Sequence, residues 1–167
     1  MKIAVYPGTF DPITNGHLDI VKRALNIFDK VIVAVSIDSS KNPIFTVEER
    51  VKMMKEALRL FERAEVDSFQ GLLVNNAKKE NAIAVIRGLR AVSDFEYEFQ
   101  MALMNRHLSR EIETVFLMPN EKFTYLDSSI VRELANLNGD ISDFVPKNVK
   151  EELIKKKFLP DNQTKTI

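Results

Sequence analysis

Near the amino terminus the chain reads Tyr6-Pro7-Gly8-Thr9-Phe10-Asp11-Pro12-Ile13-Thr14-Asn15-Gly16-His17. This glycine-bearing loop lies between a short apolar run, Ile3-Ala4-Val5, and the residues Ile20, Val21, Ala24, Leu25 and Phe28 at helical spacing. A helix opening at Gly16 presents unpaired backbone N–H groups and the positive end of its dipole, so an anion is favoured there. His17, in the first turn, brings an imidazole within reach of that anion. An isolated histidine at the end of an apolar stripe reads equally as packing.

Other loops carry compatible chemistry. Lys41 follows the second apolar run, Arg87-Gly88-Leu89-Arg90 the fourth, and Phe123 to Ser129 the fifth. In a parallel sheet all of these loops share one edge with Thr9 to His17. They predict a basic, glycine-containing, hydroxyl-lined pocket suited to phosphate rather than to acyl or glycosyl chemistry.

The elements that must position these loops are legible as periodicity. Ile3 to Val5, Val31 to Ile37, Ala64 to Val66, Ile83 to Ile86 and Thr114 to Met118 are short and β-branched, as strands buried on both faces are. Helical patterns run over Gly16 to Phe28, Val47 to Phe61 behind the capping box Thr46-Val47-Glu48-Glu49, Leu72 to Lys79, and Asp94 to Leu108. Two more helices follow, Ser128 to Leu137 and Lys147 to Lys157, the second started by Pro146. Strict alternation predicts an α/β fold: a Rossmann-like, doubly wound, five-stranded parallel sheet in three layers with extra C-terminal helices. Residues 1–159 are expected to form one domain and 160–167 a flexible tail. The helix Asp94 to Leu108 spreads Phe95, Tyr97, Phe99, Met101, Leu103 and Met104 over more than one face, which suggests a contact with another subunit.

Composition narrows the function. The 167 residues hold 24 Lys plus Arg against 24 Asp plus Glu, so no global field draws in nucleic acid or anionic lipid, and any anion site is local. Without cysteine there are neither disulfides nor thiolate metal ligands, which suits a reducing cytoplasm. No window approaches the roughly 18 apolar residues of a membrane span. The G-x-x-x-x-G-K-[ST] run of P-loop enzymes is absent. Gly8 and Gly16 are too far apart for a dinucleotide fingerprint, with Asp38 the nearest acidic candidate for a ribose.

Thr14-Asn15-Gly16-His17 resembles the T/H-x-G-H signature of the nucleotidyltransferase superfamily. Tyr6 to His17, Phe45-Thr46-Val47-Glu48-Glu49-Arg50 and, above all, Ile86-Arg87-Gly88-Leu89-Arg90-Ala91-Val92-Ser93-Asp94-Phe95-Glu96-Tyr97-Glu98 resemble the bacterial phosphopantetheine adenylyltransferases of coenzyme A synthesis. The likeness runs from about Ile3 to Phe158. It implies transfer of the adenylyl group of ATP to 4′-phosphopantetheine with Mg²⁺, giving dephospho-coenzyme A and pyrophosphate, in a cytoplasmic homohexamer open to feedback by coenzyme A. A phosphate monoester with its second pKa near 6 is already nucleophilic at neutral pH, so no general base is required.

The resemblance also implies roles. His17, Lys41 and Arg90 are the expected catalytic residues. Thr9, Phe10, His17, Gly88, Leu89, Arg90, Glu98 and the run Phe123, Thr124, Tyr125, Leu126, Asp127, Ser128, Ser129 are expected at ATP, and Thr9, Lys41, Leu73 and Arg87 at the acceptor. Core packing is an equal reading of Leu73, a solvent-facing side chain is the ordinary reading of Glu98, and a turn explains Asp11 before Pro12 as well as function does. Asp127 stands where the family usually has serine, and a carboxylate there repels phosphate unless it caps the helix or approaches the metal. Rival readings are a related nucleotidyltransferase acting on nicotinate mononucleotide or glycerol phosphate, a non-catalytic nucleotide-binding regulator, and a nucleic-acid-binding module, which the zero net charge disfavours.

Overall fold

The computed structural model describes residues 1–38, 42–90 and 92–157, which places Lys41 and the tail outside the described residues. Five strands, β1 (Ile3–Gly8), β2 (Lys30–Ser36), β3 (Ala64–Phe69), β4 (Ala84–Gly88) and β5 (Glu113–Leu117), form one parallel sheet in the order β3-β2-β1-β4-β5. They alternate with α1 (Asn15–Ala24), α2 (Val47–Ala57), α3 (Leu73–Lys79) and α4 (Val92–Leu108), and are followed by α5 (Ser128–Asn136) and α6 (Lys147–Lys157). A 3₁₀ turn over Glu121–Phe123, outside the expected elements, sits in the loop after β5.

Because β1 lies between β2 and β4, the chain runs outward in both directions from the centre, and the strand order reverses at the β1/β4 junction. Side chains alternate across β1. Ala4 and Tyr6 join Val31, Val33 and Val35 of β2 on one face, where Ile20, Val21 and Ala24 of α1, Met53 and Met54 of α2, Val131 of α5 and Val149 and Leu153 of α6 cover them. Ile3 and Val5 join Ile32, Ala34 and Val85 on the other, under a thinner cluster with Ala77, Ala82 and Ile112. Fully burying one such valine or isoleucine stabilises the fold by about 1.5–3 kcal/mol.

Two expectations need correction. β3 and β5 are not buried on both faces: they are edge strands, half-covered along their length, and β3 runs on through Asp67, Ser68 and Phe69 beyond its expected end at Val66. α1 and α2 end at Ala24 and Ala57, four residues earlier than the apolar spacing suggests, because Phe28 and Phe61 reach the core from the turns that follow.

α4 is apolar without being covered. Phe95, Tyr97, Phe99, Met101, Leu103, Met104 and Leu108 are all at least 40% exposed, where monomeric proteins rarely leave so continuous a patch.

Candidate active site

The loops after β1 and β4 flank the point where the strand order reverses, the place where open α/β sheets bind ligands. A cavity of about 540 Å³ opens there. Its wall includes Thr9, Phe10 and His17 from the first loop, Leu73 from α3, Arg87, Gly88 and Arg90 after β4, Glu98 from α4, and Phe123, Leu126, Asp127, Ser128 and Ser129 around the start of α5. Leu89, Thr124 and Tyr125 lie off this wall. The Leu89 backbone prolongs the β4–β5 ladder by donating to the Leu117 carbonyl, Thr124 closes the 3₁₀ turn on the Glu121 carbonyl, and the Tyr125 ring packs against Phe144.

The first loop is shaped by a tight stack. Phe10 adopts a left-handed backbone conformation (φ 50°) that turns its ring inward, edge-on to both Tyr6 (5.3 Å between centroids) and His17 (5.1 Å). Gly8 makes room for that ring, since a Cβ there would sit 2.8 Å from Phe10 Cζ. Phe10 is buried and supports the imidazole from behind.

Thr14 caps α1 by a capping box whose third residue is His17 in place of the usual Glu or Gln. The Thr14 backbone N–H donates to His17 Nδ1 (3.0 Å), and the His17 N–H is directed at Thr14 Oγ1 (3.4 Å). An Nδ1 that accepts a hydrogen bond carries no proton, so the neutral ring has its proton on Nε2, the nitrogen left to a ligand in the cavity. Burial, with the Arg90 cation adding to it and Asp127 opposing, lowers the His17 pKa to about 4. The residue is therefore a neutral donor at physiological pH, which the sequence left open.

The pocket is not a bare basic patch. Arg87 forks onto Glu98, with Nε to Oε2 at 2.6 Å and Nη2 to Oε1 at 2.5 Å. Arg90 Nη1 donates to Asp127 Oδ2 (2.5 Å) and to the Leu126 carbonyl (3.1 Å), while its Nε lies 3.4 Å from Asp94. Arg132 donates to the Asp11 carbonyl and meets its carboxylate at 3.4 Å. Every arginine on the described wall thus faces a carboxylate. For Arg87 and Arg90, burial opposes the cation but the acidic partners outweigh it, and both pKa values lie above the ordinary one.

Asp127 caps α5. Its Oδ1 accepts the Ser129 N–H at 2.7 Å and the Ser129 hydroxyl, so of the two conditions that reconcile a carboxylate with this position, the capping one is met. Burial alone raises its pKa, but these bonds and Arg90 reverse the sign and hold it well below the usual carboxylate range. The Ser128 hydroxyl donates to the Pro12 carbonyl at 2.8 Å, tying the head of α5 to the first loop.

Arg132 escaped the sequence reading, Arg50 entered it only within a motif, and Asp11 was weighed there only as a turn former or a functional residue. Arg132 lies one helical turn beyond Ser128 and reaches the cavity wall, a spacing visible once α5 is placed. Arg50 is buried and donates to the Phe45, Thr9 and Ser36 carbonyls at 3.2, 2.6 and 3.0 Å, binding the loops after β1 and β2 together. Asp11 is also buried and accepts from the Ile44 and Phe45 N–H groups at 2.9 and 3.0 Å, so it is a fastener between loops more than a simple turn residue. Among the described residues no group of three or more His, Cys, Asp or Glu is arranged to hold a metal.

Comparison with known proteins agrees with this geometry. The cytidylyltransferase-like family profile matches residues 5–134. A phosphopantetheine adenylyltransferase from Geotalea daltonii is 58% identical over 153 residues, covering 92% of this chain and 95% of its own. Its counterpart from Alkaliphilus metalliredigens is 54% identical over 156 residues, covering 93% and 99%. A crystal structure from Vibrio parahaemolyticus, provisionally assigned as a nicotinate-nucleotide adenylyltransferase, superposes with a TM-score of 0.68 over 92% of this chain and 99% of its own; at 18% identity it shows the fold alone.

Proposed function

The chain belongs to the cytidylyltransferase-like family and, within it, to the phosphopantetheine adenylyltransferases, and from that premise we propose that it makes dephospho-coenzyme A. The phosphate of 4′-phosphopantetheine attacks the α-phosphorus of ATP; a P–O bond forms to the acceptor and the bond to pyrophosphate breaks. The observation that carries this reading is the meeting, in one cavity, of a neutral imidazole donor at the start of α1, the head of α5 and two arginines after β4.

The acceptor dianion needs no protein base, so the work left to the chain is alignment and stabilisation of charge. His17 Nε2–H donates to the oxygens of the reacting phosphorus. Arg90 and Ser129 hold the outer phosphates at the α5 N-terminus, while Thr9 stands between the two substrates. Arg87 and Leu73 receive the acceptor, with Lys41, beyond the described residues, as its phosphate partner. Mg²⁺ would accompany ATP as the counter-ion of its phosphates.

We further propose a cytoplasmic homohexamer in which α4 is buried between copies, and feedback by coenzyme A, whose pantetheine arm fits the acceptor half. No described helix is long and apolar enough to cross a membrane. The decisive experiment measures ATP-dependent pyrophosphate release with 4′-phosphopantetheine, nicotinate mononucleotide and glycerol phosphate in parallel. Release with the first alone is expected; preference for either of the others overturns the assignment.

A further inference from the structure

We propose that Asp127 is a resident anion in the phosphate cradle, one that the polyphosphate of ATP displaces, and so a residue that sets ATP affinity. The inference rests on the reading of this cavity as an ATP site. Asp127 Oδ1 takes the Ser129 N–H and hydroxyl, and Oδ2 takes Arg90 Nη1 at 2.5 Å. A backbone N–H at a helix start, a hydroxyl and a guanidinium are the donor set that a phosphoryl group uses. The Ser128 hydroxyl is already committed to the Pro12 carbonyl, which leaves Ser129 as the hydroxyl donor at the head of α5.

Two anions cannot share these donors at contact distance without strong repulsion, so one yields. The Asp127 side chain is 35% exposed and precedes the first turn of α5, so a rotation about its own bonds moves it off Arg90 without unfolding the helix. Asp94 stays beside Arg90 Nε and keeps the guanidinium in place during the exchange. Each binding event therefore breaks an ion pair and a cap before it gains anything, and ATP binds more weakly than the exposed cradle would allow.

The test is calorimetric titration of the full chain and of Asp127→Asn and Asp127→Ser with inorganic tripolyphosphate and with Mg-ATP. Both replacements remain good helix N-caps, and circular dichroism with thermal melting checks that α5 survives. Both variants are expected to bind tripolyphosphate and ATP about fivefold more tightly, the order of one partly exposed ion pair, with the KM for ATP falling in step. Equal or weaker tripolyphosphate binding in both folded variants overturns the proposal. Tripolyphosphate has neither adenosine nor acceptor, so its result is independent of adenylyl transfer; tight ATP binding without pyrophosphate release sinks the functional assignment and leaves this one standing.

Discussion

Thr14 and His17 complete each other across the first turn of α1: the Thr14 N–H is satisfied by the imidazole, and the His17 N–H is directed back at the Thr14 hydroxyl. One side chain thus serves as helix cap and, in the proposed reaction, as phosphate donor. His17→Ala is expected to lower kcat by roughly 10²- to 10³-fold, the loss of one transition-state donor, while ATP still binds. It also costs stability, by about 1 kcal/mol for half a capping box. His17→Gln restores the back-bond to Thr14, so urea denaturation of the two variants separates the structural share from the chemical one.

Burial of the same imidazole dictates a pH dependence. The folded-state pKa of about 4 lies below the ordinary histidine value of 6.5, so between these limits the unfolded chain binds more protons than the folded one. Stability therefore rises with pH through this window, reaches its full His17 contribution above 6.5, and loses at most about 3 kcal/mol on descending below 4. Histidine Cε1–H shifts followed by NMR in the ligand-free protein should place the His17 midpoint near 4. A midpoint at or above 6.5 contradicts the Nδ1 acceptor geometry.

Gly8→Ala puts a methyl group 2.8 Å from the Phe10 ring, which Tyr6 and His17 keep from retreating. The expected cost is about 1–3 kcal/mol of overpacking, read as a lower melting temperature. Because Phe10 supports the imidazole, kcat should fall as well, with the KM for both substrates less affected.

The uncovered face of α4 carries the proposed subunit contact. Analytical ultracentrifugation of the native chain should give a multimer, and Phe99→Glu combined with Met104→Glu should give folded species of lower mass. A native monomer at micromolar concentration removes the contact.

Most of the scaffold could be read before the fold was known, because buried parallel strands announce themselves as unbroken β-branched runs and helices as spaced apolar residues. The edges could not. Asp67 and Ser68 look unlike a strand until the partners Ala34 and Val35 extend the ladder to them. Likewise Thr9 to His17 and Arg87 to Arg90 are continuous in sequence and were visible as candidates. The pairings were not: Glu98 is 11 residues from Arg87, Asp127 is 37 from Arg90, and Arg132 is 121 from Asp11, contacts that only the winding of the sheet creates. The expected basic pocket failed for this reason, since counting cations along a loop cannot show which carboxylates the fold returns to them.

Asn15, beside the histidine, donates its backbone N–H to the Phe144 carbonyl and its amide to that of Asp143. A fragment ending at Asn136 would retain every side chain of the described cavity wall, yet the turn bearing His17 would have lost its buttress. Minimised versions of this enzyme must therefore keep the segment beyond α5, although none of its described residues lines the cavity.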